Sequence, residues 1–220
     1  MNTILKVVVG SRLHGLHNEK SDYDYRGIFM HPLKEKLSPF KNLKNTQWIE
    51  GDVDNTAYEL TEFCKYATKG NPTILEILWS NMVIESSSIA DELKANRHKF
   101  LNSKAIFESH KGYAHNQYNK MNLFEPDDRT PKFAVAYIRA LSQAKQLLAT
   151  GEFSPQILPE DKDFLLEVKH NFNTSLVPEL SRRFSQSQID LANVWSEHHD
   201  KFEPDYEWIE DFIYRVYKEK

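Results

Sequence analysis

VVVGSRLHGLHNEKSDYDYRG, Val7 to Gly27, carries the clearest structural signal near the start of the chain. A run of valines stops at Gly10-Ser11. Eleven residues after Ser11 comes Asp22, and Asp24 follows with one residue between them. Ile4–Val9 is β-branched and apolar, broken only by Lys6, as a buried strand would be. Ser21–Met30 reads as a second strand. On it Tyr23, Tyr25, Gly27 and Phe29 share one face, and Asp22, Asp24, Arg26 and Ile28 the other. Arg12–Glu19 has room for two helical turns, made irregular by Gly15 and Asn18. Strand, short helix, strand is the grammar of an α/β unit.

Two carboxylates on one strand face have Cα atoms about 6.5–7 Å apart. They repel, and either costs free energy if buried without a partner. A divalent cation removes the conflict, and Mg²⁺ is often held by one or two carboxylates plus substrate phosphates. A Gly-Ser turn supplies backbone N–H groups and a hydroxyl, which suit phosphate. The parts fit a nucleoside triphosphate held at Gly10-Ser11 and bridged by Mg²⁺ or Mn²⁺ to Asp22 and Asp24. Each motif alone is more often a plain turn or a solvated strand face; the pairing carries the reading. A third carboxylate is usual in such sites. Glu59 is the candidate and Asp54 the rival. Five residues apart on a regular strand, the two face opposite sides.

Further along, Thr46–Glu50 and Val53–Glu59 read as strands joined at Gly51-Asp52. Leu60, Phe63, Cys64 and Ala67 then recur with helical spacing, from a start near Glu59 to a stop at Gly70. Asn71-Pro72 opens another helix. Beyond about Glu85 the pattern is helical throughout: Ile89–Leu101, Ser103–Asn122, Lys132–Thr150, Pro159–Phe172, Ser175–Asn193 and Tyr206–Tyr217, with a polar linker at Glu125–Pro131. The chain therefore divides into a mixed α/β part, residues 1–95, and a helical part, residues 96–220, packed to make a cleft.

The 220 residues are 40% apolar and 27% charged, with formal charge −4, so a core is expected and a general nucleic-acid coat is not. Cys64 is the only cysteine, which excludes an intrachain disulfide and cysteine-rich zinc sites. The first apolar run is too short for a signal-peptide core or a membrane span, so a cytoplasmic location is expected, the host's for a phage-encoded chain. His14 and His17 read as surface residues or nucleotide neighbours. Lys34, Lys36, Lys41 and Lys44 form a basic stretch that fits a solvated loop or a nucleic-acid contact. Tyr113, His115, Tyr118 and Lys120 fit core packing or an RNA-stacking face.

Gly10-Ser11 followed by Ser21-Asp22-x-Asp24 resembles the signature of the DNA polymerase β-like nucleotidyltransferase superfamily. The likeness is closer to its RNA-ligase-associated branch, RlaP, of bacteria and phages. "SDYDYRGIF" is similar to that branch's Ser-Asp-x-Asp-x-Arg-Gly form. "AYELTEFCKYATKGNPTILEILWS" resembles its acidic-Leu stretch with Asn-Pro and a Leu-Glu pair, and "PKFAVAYIRALSQAKQLLATGEF" its later helix. The resemblance spans roughly residues 5–170.

It implies an α+β protein: a nucleotidyltransferase fold of mixed sheet and helices, then a helical substrate-binding domain. It implies Gly10, Ser11 and Ser21 at the nucleotide; Asp22, Asp24 and Glu59 as catalytic metal ligands; and Arg26, Lys132 and Arg139 as phosphate or nucleic-acid contacts. Arg26 equally suits neutralising the aspartates beside it. Thr61-Glu62, where the branch favours Arg-Lys, and Ala136, where it favours His, depart from the pattern. The implied reaction moves a nucleoside monophosphate from a triphosphate to a hydroxyl, with a tRNA-like RNA end as acceptor and no membrane partner. Transfer of AMP to a protein, as in antitoxin-type relatives, and a silent nucleic-acid-binding module are the alternatives.

Overall fold

A computed structural model describes residues 2–47, 55–123 and 129–219. Contacts divide the chain into two compact units. The first holds residues 1–69, 73–101 and 203–220, and the second 70–72 and 102–202. The sequence places one division near residue 95; the last segment instead returns to the first unit.

In the first unit β1 (Asn2–Val9) runs into a single helical turn, α1 (Gly10–Leu13). β2 (Asp24–Met30) follows, then α2 (Leu33–Lys36), β3 (Thr46–Gln47), β4 (Thr56–Glu59), α3 (Leu60–Thr68), α4 (Pro72–Trp79), β5 (Val83–Ser86) and α5 (Ser88–Ala95). The sheet order is β3-β4-β2-β1-β5. β1 pairs antiparallel with both β2 and β5, β2 runs parallel to β4, and β3 is antiparallel to β4. Ile4, Leu5, Val7 and Val8 of β1 and Ile28, Phe29 and Met30 of β2 are buried, so both strands are central. The mixed α+β class is as the sequence implies.

Details differ. The helical turn comes earlier than Arg12–Glu19, because Gly10 itself begins it. β2 starts at Asp24 rather than Ser21, leaving Asp22 on the loop before it. The proposed Gly51-Asp52 hairpin turn, and Asp54, lie outside the described residues. β5 (Val83–Ser86) has no counterpart in the sequence reading: Val83 and Ile84 are exposed, so no alternating pattern marks this short strand.

The second unit holds α6 (Ser103–Leu123), α7 (Thr130–Thr150), α8 (Pro159–His170) and α9 (Val177–His198). α7 is central: Ala134, Tyr137, Ile138, Leu141, Ala144, Leu147 and Leu148 are buried, and the Tyr137 hydroxyl donates to the Leu180 carbonyl at 2.8 Å. Gly151 closes this helix at φ 80°. Tyr118 stacks on Phe184 at 4.0 Å between ring centres and meets Tyr137 edge-on at 5.7 Å. Of the suggested stacking face on α6, Tyr118 is therefore core packing, while His115 and Lys120 are exposed. Burial also pushes the His110 imidazole down to about 4, so it stays neutral beneath α7. The chain then returns to the first unit in α10 (Tyr206–Lys218), which buries Ile209, Phe212, Val216 and Tyr217.

Candidate active site

The end of β1 and the start of β2 meet at one corner. Val9 and Asp24 are register partners, so the Gly-Ser turn leaves the sheet where the carboxylate enters it. Gly10 has φ +68°, a conformation that L side chains rarely adopt. A Cβ on it would overlap the Asp24 carboxylate. Glycine is thus required twice here, by the backbone and by the acid pressed against it.

Arg12 braces the same corner. Its Nη2 donates to the Ser21 carbonyl at 2.7 Å and its Nε to the Asp22 carbonyl at 3.3 Å. Its guanidinium lies over the Tyr23 ring, 3.8 Å from the centroid. The segment carrying exposed Asp22 is therefore tied to the turn carrying Ser11. The Ser21 hydroxyl is used within its own loop: it donates to Asn18 Oδ1 at 3.2 Å and accepts from the Asn18 N–H at 2.9 Å. At the foot of β2 buried Asn55 accepts from the Tyr25 N–H at 2.8 Å. Arg26 donates from Nη1 to the Tyr25 carbonyl at 3.2 Å, while its buried Nε meets no hydrogen-bond acceptor among the described residues.

His14 is not a surface residue. It is buried at the end of α1, with Nε2 2.6 Å from Oε1 of buried Glu76 on α4. This pair locks the turn after Ser11 onto the helix beginning at Asn-Pro. Sequence reasoning missed it because 62 positions separate the partners. The Leu-Glu of "NPTILEILWS" was the available signal.

Glu59 does not join the aspartates. In the parallel β2–β4 register it lies opposite Phe29, five residues along β2 from Asp24, a separation of about 16 Å along the strand. Its side chain is committed elsewhere. It caps α3 through the Thr61 N–H at 2.9 Å, pairs with Lys36 Nζ at 2.8 Å and accepts from the Tyr217 hydroxyl of α10. Lys36 Nζ also donates to the Tyr217 oxygen at 3.0 Å and to the Thr61 hydroxyl. Burial by itself would raise the Glu59 carboxyl, but the bonds from Lys36, Tyr217 and Thr61 hold it below the usual range. Burial, then the hydrogen bond to Glu59 and its charge, raise the Tyr217 phenol; burial, then that same charge, push the Cys64 thiol up to about 12. The placement of Glu59 with Asp22 and Asp24 is corrected by this register. Among the described residues no three His, Cys, Asp or Glu side chains gather to hold a metal.

Lys132 and Arg139 both belong to α7 in the second unit. Lys132 is exposed, whereas Arg139 is buried with Nη1 3.3 Å from Gln143 Oε1, so the two do not present one charged face.

The chain belongs to RlaP, the RNA repair pathway DNA polymerase beta family, whose model matches residues 1–215. It is similar, at 28% identity over 135 residues, to an uncharacterized 38.9 kDa protein from the nrdC-mobD intergenic region of Enterobacteria phage T4, covering 56% of this chain and 40% of that one. It is also similar, at 28% identity over 155 residues, to an uncharacterized protein of Methanocaldococcus jannaschii, covering 68% of this chain and 62% of the relative. The matches thus span less than two thirds of either relative's length. RlaP membership supports a nucleotidyltransferase-type role. No described helix is long and apolar enough to cross a membrane.

Proposed function

We propose that this RlaP protein transfers a nucleoside monophosphate from a nucleoside triphosphate to the hydroxyl of an RNA end. The observation that carries the reading is the Gly10 turn pressed against Asp24. Phosphate binding by backbone N–H groups and metal binding by a carboxylate have to share one corner for this chemistry, and the turn and the acid do.

Asp22 and Asp24 offer the hard oxygens that Mg²⁺ or Mn²⁺ accepts together with substrate phosphates. Such a metal, when bound, neutralises charge on the phosphates and on the attacking and leaving oxygens. The third carboxylate we assign to Asp54 rather than Glu59. Glu59 lies opposite Phe29, away from Asp24, and Asp54 is the other carboxylate that the sequence offers. Gly10 and Ser11 hold the triphosphate, with Arg12 fixing the loop that carries Asp22. Arg26 follows Asp24 by two residues on β2, and its guanidinium charge suits a substrate phosphate. Lys132 and Arg139 remain candidates for contact with the nucleic acid.

In the reaction the acceptor oxygen attacks the α-phosphorus and gives up its proton to a carboxylate. The bond from α-phosphorus to the bridging oxygen breaks, and pyrophosphate leaves. Incubation with each α-labelled triphosphate, Mg²⁺ or Mn²⁺, and total RNA or cell protein tests this directly. Label entering RNA, and lost in Asp54→Asn but kept in Glu59→Gln, is the expected result. Label entering protein would replace the acceptor; no label with any triphosphate would sink the enzyme reading.

A further inference from the structure

The loop between β2 and β3 is not used by this chemistry, yet it is a built feature. Its feet are closed on the sheet: His31 Nε2 lies 3.0 Å from the Lys44 carbonyl, and the Glu59 N–H donates to the Asn45 carbonyl at 2.8 Å. Lys36 turns inward to Glu59. The outer turn is braced against α2 by the Lys41–Glu35 pair at 2.9 Å, and Ser38 accepts from the Phe40 and Lys41 N–H groups at 3.3 and 3.4 Å. A compact loop with close ends that is held by its own side chains presents a fixed surface.

What it presents is unusual. Phe40 is 96% exposed and Leu37 72%, and Leu33, one helical turn before Leu37, is exposed as well. Large apolar side chains grouped on a braced loop mark a contact surface. Lys34, Lys41 and Lys44 surround them, all exposed. Residues 32–44 hold four lysines against one glutamate, in a chain of formal charge −4. Positive charge is concentrated at the same place as the exposed ring.

We propose that this loop is a docking surface for single-stranded RNA, with a base stacked on Phe40 and Lys34, Lys41 and Lys44 meeting phosphates. An aromatic ring accepts the π-face of any base, and lysines tracking a backbone supply the rest of such a site. Charge complementarity favours a polyanion over an apolar protein partner. The proposal deepens the reading above and rests on it for RNA as the acceptor. β2 runs from Asp24 to Met30, about 20 Å, so this surface holds the strand well away from its reacting end.

The test is fluorescence anisotropy with a labelled 12-nucleotide single-stranded RNA, without triphosphate, beside the transfer assay. Phe40→Ala is expected to weaken binding about five- to a hundredfold. Lys34→Gln with Lys44→Gln is expected to lower the slope of log affinity against log salt by about 1.4. These side chains are exposed, so melting temperatures should not move. Unchanged RNA affinity in both variants overturns the proposal. So does a loss confined to vesicles of phosphatidylcholine and phosphatidylserine, or to self-association, with RNA binding intact. If transfer fails while RNA affinity still depends on Phe40, the loop stands and the reaction assigned to the aspartates falls.

Discussion

Two acids at opposite ends of β2 and its neighbour invite comparison. Asp24 lies against bare backbone at Gly10, beside exposed Asp22. Glu59 is 2% exposed and surrounded by Lys36, Thr61 and Tyr217, its lone pairs occupied by donors from three segments. Both were plausible metal ligands on paper. The difference teaches that a carboxylate's role follows from what it is packed against. One with a cation, a phenol and a backbone N–H has no need of a metal. One placed against a glycine turn next to a second acid is where the proposed metal would bind.

The largest expected effect breaks the comparison on the open side. Asp24→Asn keeps the shape against Gly10 and removes the charge. Transfer activity should fall about a thousandfold or more, near 4 kcal/mol of transition-state stabilisation, with the melting temperature almost unchanged. Asp22→Asn should behave the same way. Steady-state incorporation of α-labelled nucleotide, alongside thermal denaturation, checks both. Wild-type rates in either variant would return the corner to a solvated strand end.

Glu59→Gln probes the closed side and should give the reverse pattern: stability lost and turnover per folded molecule kept. Removing one member of a buried ion pair costs about 3–5 kcal/mol; Lys36 is partly exposed, so about 2–3 kcal/mol is expected here. The effect has a defined pH dependence. The folded carboxyl lies below its ordinary value of 4.5, so its contribution is present above that pH and is lost as pH falls through the lower folded value. Denaturant melts of wild type and Glu59→Gln should therefore converge on acidification below about pH 4.5. A gap that persisted or widened there would mean that the charge is not what holds the cluster.

Gly10→Ala sits between the two patterns. The positive φ costs a non-glycine residue about 1–3 kcal/mol, and the methyl group displaces the Asp24 carboxylate. Stability and activity should fall together, unlike in either acid variant. Equal stability with full activity would show that the turn and the acid are not in contact.

The open corner was legible in sequence and the closed cluster was not, for a physical reason. β1 and β2 are adjacent in sequence and antiparallel, so the hydrophobic run, the glycine and the period-2 acids fix their meeting point locally. Glu59 could be placed only by knowing the β2–β4 register, which depends on pairing across a crossover rather than on a short turn. Its partner Tyr217 is 158 positions away, and Lys36 came from a stretch that read as a solvated loop or a nucleic-acid contact. His14 and Glu76 were hidden in the same manner. Helices α3, α4 and α7 were recovered because their apolar spacing and their Pro and Gly ends are local. β5 was lost because exposed Val83 and Ile84 show no alternation.

The smallest effect isolates what α10 contributes. Tyr217→Phe keeps the ring under Lys36, whose ammonium lies 4.5 Å from the ring centre, and deletes only the hydroxyl. Glu59 then loses one of its donors but keeps Lys36 and the Thr61 N–H, so it remains ionised in the folded protein. A single hydrogen bond to a charged acceptor is worth about 1.5–3 kcal/mol, and the lower end is expected because two donors remain. The carboxyl should also move upward toward its ordinary value, since one of the groups holding it down is gone. Acid denaturation of Tyr217→Phe should consequently begin at higher pH than in wild type, while nucleotide transfer near neutral pH stays unchanged. If transfer instead fell with the hydroxyl, Glu59 and its cluster would have to act on the chemistry, and the division between an acid for the reaction and an acid for the fold would collapse.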